Sequence, residues 1–318
     1  MSKHPLWRTV GRGVYDIGKN TELLGVFGEA FVDTLLRKKK MVKLDNAVCI
    51  SLNNDYTLHS AVHALRRLEE YNDRCQWGLE PVFEELWRGK NAYEVFNEIW
   101  EKLRVFIDEM GIAIRDPNTF CSDLTIPRLE AMNKCKLCGE HYEPPNFGVI
   151  HLVRVTESKS KAQTHPACPT ISVCAKCFKR LLDKGVIKIQ RDGLTVFIDD
   201  YLKNFALLRV YCELHPYLEY LDFIAKVGNI DFFKSIAAGS SSSPFDFICI
   251  DNNGEKYVID VKTTTSQIQA TPSKISKELE RSNKYIQLAL NQGFRVLLPI
   301  VRLEKDWKIV LELVEITH

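Results

Sequence analysis

Two apolar runs late in the chain carry charges that a strand hairpin does not need for its own stability: Asp246 in SPFDFICI, and Asp260 with Lys262 in YVIDVKTT. Phe245, Phe247 and Cys249 alternate with Asp246, Ile248 and Ile250. Tyr257, Ile259 and Val261 alternate with Val258, Asp260 and Lys262, so both runs read as half-buried strands. Two residues apart on a strand, Asp260 and Lys262 share a face. Asp246 joins them only in one register. A loop of Asn253-Gly254 alone would set Asp246 opposite Val261, whereas a three-residue loop, Asn252-Asn253-Gly254 with Gly254 left-handed, sets it opposite Asp260. Converging carboxylates repel unless a cation lies between them, and hard oxygen ligands suit Mg²⁺ or Mn²⁺. Such an ion can clamp a phosphate and acidify a bound water. Lys262 can orient or deprotonate that water and offset charge developing on the phosphorane.

A second constellation is Cys135-x-x-Cys138 followed by Cys174-x-x-Cys177, a C-x2-C-x35-C-x2-C pattern. Each pair presents two sulfurs to one tetrahedral ion, and four thiolates leave no position for water, so the expected site is structural Zn²⁺. His141, His151, His165 and Cys168 are alternative ligands. The chain has 10 cysteines, but its start, MSKHPLWRTVGRGVYD, has no apolar core with a cleavage site, and metal binding is expected in preference to a disulfide framework. The expected location is the cytoplasm.

The elements that must position these groups are legible in outline. Glu22 to Leu36 reads as an apolar helix ending in the basic run Arg37 to Lys40, a charge favourable to the helix dipole, with a phosphate contact as the alternative. From Thr57 to Gly111 the pattern is helical, with Leu58, Val62, Leu65 and Leu68 in one stripe and Val95, Ile99, Leu103 and Ile107 in another. Trp77, Trp87 and Trp100 beside them read as core, with base stacking as the alternative. Lys176 to Asp183 reads as a helix and Lys184 to Asp199 as a hairpin turned at Arg191-Asp192-Gly193, together resembling a wing. Tyr217 to Ala238 reads as helical. After a serine run and the charged hairpin come a helix, Ser273 to Asn291, and strands Phe294 to Val301 and Trp307 to Val314.

Hydrophobic residues make up 45% and charged residues 26%, the balance of a globular chain with ample core. The net charge is only +2, so nucleic-acid binding must come from clustered Lys and Arg. The apolar run Val296 to Val301 is too short to span a bilayer.

The order SPFDFICI, YVIDVKTT, helix, strand, strand resembles the PD-(D/E)XK nuclease superfamily, the restriction-endonuclease-like fold. The resemblance covers roughly the last third of the chain, and it departs from the pattern in having one residue, Phe245, between Pro244 and Asp246. It implies Asp246 and Asp260 as metal ligands, the Val261 carbonyl as a third, and Lys262 as the catalytic lysine. A further Glu on a core helix often tunes the metal in this superfamily; Glu219 is favoured here, with Glu213 and Glu29 as alternatives. Thr263 and Gln267 are candidate phosphate or base contacts. The cysteine segment also bears comparison with HNH nucleases through His151 between its knuckles. It lacks their paired acidic residue or second His, and Phe178 follows Cys177 where such sequences often carry His.

The expected fold class is therefore mixed α/β. Residues 1–125 form a helical N-terminal region able to recognise DNA, residues 126–200 a zinc-binding module with helix and hairpin, and residues 201–318 a nuclease core. The expected function is Mg²⁺-dependent hydrolysis of double-stranded DNA, as in a type II restriction endonuclease. A homodimer would supply a second active site for a symmetric target. The alternatives are a structure-specific repair or recombination nuclease and a non-catalytic zinc-containing nucleic-acid-binding protein.

Overall fold

A computed structural model describes residues 21–41, 43–52, 56–87, 91–110, 134–143, 146–155, 168–191, 193–237, 243–265, 284–304 and 308–316. In chain order the first elements are α1 (Thr21–Arg37), β1 (Val48–Ser51), α2 (Tyr56–Cys75), α3 (Glu80–Trp87) and α4 (Ala92–Met110). There follow β2 (Phe147–His151), β3 (Thr170–Cys174), α5 (Ala175–Asp183), β4 (Ile187–Ile189), β5 (Thr195–Phe197), α6 (Asp199–Leu214) and α7 (Leu218–Val227). The last are α8 (Ile230–Ala237), β6 (Phe247–Ile250), β7 (Lys256–Ile259), β8 (Lys262–Thr265), α9 (284–291), β9 (Phe294–Leu303) and β10 (Ile309–Ile316). The mixed α/β class is as expected. Among the described residues no helix is long and apolar enough to cross a membrane.

The chain divides into two compact units, one drawn from Met1–His59 with Asn229–His318 and the other from Ser60–Gly228. This division differs from the three consecutive segments expected, because α1 and β1 join the C-terminal strands. In the first unit a mixed sheet runs β1-β6-β7-β9-β10, with β8 also paired to β9. β9 is parallel to β7 and β8 and antiparallel to β10. Its sequence FRVLLPIVRL is buried along almost its whole length, as expected of an interior strand. On one face Val32 and Leu36 of α1, with Met41 and Leu44, pack on Phe247, Tyr257, Ile259, Leu297 and Val301. Each such fully buried side chain contributes roughly 1.5–3 kcal/mol. Phe232 of α8 stacks on Phe294 at 4.3 Å. A disulfide joins Cys49 of β1 to Cys249 of β6, residues directly opposed in the ladder.

The second unit holds a four-stranded sheet of order β3-β2-β5-β4 with helices α2 to α7. The expected wing is present: α5 leads into the β4–β5 hairpin, in which Ile187 opposes Phe197 and Ile189 opposes Thr195, with Gly193 left-handed. Trp77 is a core residue whose indole N–H donates to the Leu152 carbonyl at 2.8 Å, and Trp100 packs on Tyr211. The helix α6 had no counterpart in the expected elements, and the helical stretch expected from Tyr217 to Ala238 is broken at Gly228, which is left-handed. Here Cys75 is bonded to Cys168, and Cys212 is also in a disulfide. The side chain of Trp87, the turn residue Asp192, most of the serine run, His165, Gln267 and the first part of the expected helix Ser273 to Asn291 lie outside the described residues.

Candidate functional site

The hairpin takes the odd register. Phe247 opposes Ile259 and Ile250 opposes Lys256, so continuing the count brings Asp246 level with Asp260. The loop is the three-residue one, Asn252-Asn253-Gly254, with Gly254 at φ 81°. The Asp251 amide donates to the Glu255 carbonyl at 3.0 Å, and the Asp251 carboxylate accepts the amides of Asn253 and Glu255 at 2.8 and 2.9 Å. Asp251 thus supplies an Asx-type turn that fixes the loop length, and the loop length fixes which side chains meet.

β7 and β8 lie on β9 in one continuous register, Ile259 against Leu297 and Lys262 against Ile300. Between them the ladder is interrupted, and Pro299 explains why. The Asp260 amide donates to the Leu297 carbonyl at 3.1 Å, so the next donor toward this strand would come from residue 299, and proline has no N–H. On the other side β6 has ended. The Val261 amide donates instead to the Asp246 carboxylate. The Asp246 backbone is held by its own amide to the Ile259 carbonyl at 2.8 Å and by the Leu52 amide to its carbonyl at 2.7 Å. Lys262 Nζ lies 3.0 Å from Asp260 Oδ2.

Asp246 and Asp260 are both buried, each 8% exposed. Burial pushes the Asp246 carboxyl up to about 7, and the charges of Asp260 and Glu29 push the same way against the Val261 amide and Lys262. Glu29 comes from α1, which reaches β8 so closely that a methyl group on Gly28 would collide with the Thr263 hydroxyl. The structure therefore gathers Asp246, Asp260, Lys262 and Glu29. Glu219, the favoured third acid, opens α7 of the other unit, and Glu213 there is neutralised by Arg67 and Arg209 at 2.6 and 2.7 Å. Thr263 is turned into the α1 contact, its hydroxyl buried.

Asp246 thus feels two further carboxylates and one lysine, and carboxylate oxygens are the hard donors that a small divalent cation takes. Among the described residues, however, the one group of side chains placed to hold a metal ion is the four-cysteine cluster of the other unit.

In the second unit Cys135, Cys138, Cys174 and Cys177 bring their sulfur atoms within 4.8 Å of one another, positioned to bind a metal ion. The first pair sits in a tight turn in which the Cys135 amide donates to the Glu140 carbonyl at 2.8 Å and Gly139 is left-handed. The second spans the end of β3 and the first turn of α5. Burial raises the Cys135 thiol, but amides of Cys138, Cys174 and Leu137 directed at its sulfur outweigh this and hold it below the ordinary value. Burial pushes Cys138 up to about 11 and Cys177 higher. Such thiols are acidified by a coordinated cation. His141 and His151 are not in the cluster, and the alternative ligand Cys168 is committed to Cys75.

The chain matches no protein-family model, no curated protein and no solved structure.

Proposed function

We propose that the unit containing α1 and β6 to β10 is a PD-(D/E)XK nuclease core of the restriction-endonuclease-like fold, and that the protein is a metal-dependent DNA endonuclease. The observation that carries this reading is the hairpin register, which levels Asp246 with Asp260 and brings Lys262 within 3.0 Å of Asp260. A hairpin serving only as scaffold has no use for buried carboxylates at the one place where its ladder is open.

Mg²⁺ or Mn²⁺ held by Asp246, Asp260 and the Val261 carbonyl would supply Lewis-acid activation of the scissile phosphate and of a water. The chain's own part is to orient and to move protons. The Val261 amide fixes the Asp246 carboxylate, and Asp260 holds the Lys262 ammonium toward the same point. From there Lys262 aligns the attacking water and offsets charge on the pentavalent phosphorus. Glu29 adds negative charge that strengthens cation binding. In the other unit we assign Zn²⁺ to the four-cysteine cluster as a brace for β3 and α5. Cutting both strands of a symmetric target would take two copies of the chain, as in a type II restriction endonuclease.

The test is cleavage of linear, branched and base-modified duplexes by the protein and by Lys262→Ala, with Mg²⁺ or with EDTA. Cleavage should need the metal and fall by roughly 10²–10⁴-fold in the variant. Discrete ends on plain duplex would mark restriction, and preference for branches would mark repair. Wild type and variant behaving alike on every substrate would overturn the reading.

A further inference from the structure

The helix that brings Glu29 to the carboxylates ends in four consecutive cations, Arg37 to Lys40, all exposed. Arg37 is tied back to Asp33 at 2.7 Å. Among the described residues none forms an ion pair with Lys38, Lys39 or Lys40. The helix is closed by the amides of Lys38, Lys39 and Lys40 donating to the carbonyls of Thr34, Leu36 and Leu35, with Lys39 left-handed at φ 51°. That closing position is usually glycine, because a Cβ is penalised there. Lys43 is also left-handed, at φ 72°, and its ammonium holds Glu315 at 2.6 Å. Among the described residues Lys39 has no such return, and its charged side chain stands where glycine would fold more easily. A stabilising interaction with the helix dipole does not account for this, since Lys38 and Lys40 already offer charge at the same end.

The placement is useful for a phosphodiester substrate. Arg37 lies eight residues beyond Glu29 on one helix, roughly 12 Å along its axis, and the lysines lie just past it. One DNA strand carries a phosphate about every 3.4 Å of axis, so the run stands roughly three to four phosphates from one seated at the carboxylates. We infer that Lys38, Lys39 and Lys40 contact the backbone phosphates of duplex DNA flanking the cleaved bond; this rests on the nuclease reading above.

The experiment measures binding of a labelled duplex to the full zinc-loaded chain with no Mg²⁺ or Mn²⁺ added and no chelator, across roughly 50–200 mM salt. Replacing Lys38, Lys39 and Lys40 together by Gln should make the slope of log affinity against log salt shallower by about 2.7, and Lys39→Gly alone by about 0.9. Lys39→Gly should also raise the melting temperature while weakening binding, a combination that a purely structural cap cannot give. Unchanged slopes, no duplex binding by the wild type, or a lower melting temperature for Lys39→Gly with binding intact would each overturn the inference. The nuclease reading fails separately: if Lys262→Ala cuts as well as wild type while the lysine variants lose salt dependence, the phosphate contact stands without the proposed chemistry.

Discussion

Asp246→Asn should stabilise the metal-free protein at neutral pH. The Asp246 carboxyl titrates near 7 in the folded chain against an ordinary 3.8. Below 3.8 both states hold the proton and nothing is lost. As pH rises from there toward 7 the unfolded chain releases its proton and the folded chain does not, so stability falls throughout that window and levels off above 7. At 1.36 kcal/mol per pH unit, the full loss is roughly 4 kcal/mol, of which about 3 kcal/mol accrues between pH 5 and pH 8. Asparagine keeps the shape and can still accept the Val261 amide, but it carries no charge to desolvate. Urea unfolding of wild type and variant without added divalent cation, at both pH values, reads the effect of the residue together with its coupling to Asp260, Glu29 and Lys262, groups distant from it titrating alike in the two proteins. The variant's advantage should grow by about 3 kcal/mol from pH 5 to pH 8. A difference that stays constant with pH, or a variant less stable at pH 8, would refute the assignment of Asp246 as a buried carboxylate held in an acid-crowded site.

Glu29→Gln removes one of the charges that raise Asp246, so the Asp246 titration followed by carboxyl NMR should move toward lower pH; no movement would detach Glu29 from the site. Gly28→Ala forces a methyl group onto the Thr263 hydroxyl and should cost roughly 1–3 kcal/mol, with Thr263→Ala restoring part of it in the double variant, as read by thermal melts. The purified chain should carry one tightly bound Zn²⁺ by elemental analysis. Cys177→Ser should lose the ion and lower the melting temperature, and a metal content unaffected by that change would remove the four-cysteine assignment.

The carboxylates and lysine were legible because a strand has a period of two and a turn has a countable length: once Asp251 to Glu255 is read as a three-residue loop, the facing pair follows. The cysteine cluster was legible because paired spacing is local. What escaped was whatever depends on distant partners. Glu29 was open only as an alternative to Glu219, because it lies far from Asp246 in sequence and the packing of Gly28 on Thr263 is what makes it a neighbour. α6 escaped for another reason. Its buried residues, Leu202, Phe205, Ala206, Leu208, Val210, Tyr211 and Leu214, run around most of the helix and leave no one-sided stripe to read. β1 is only four residues long, and its disulfide to β6 has no spacing signature in either segment. The two-unit division was not legible because a unit drawn from both ends of the chain leaves no mark in local sequence.

That last point bears on how the molecule is made. The second unit, Ser60–Gly228, is one uninterrupted stretch, whereas the unit with the candidate site takes α1 and β1 from before that stretch and the remaining strands from after it. On a growing chain α1 waits through the synthesis of the whole insert before β6 to β10 emerge to receive it. The carboxylates, the lysine and the helix that charges them are therefore assembled only once both ends of that unit are present, so an unfinished polypeptide lacks the formed acidic site.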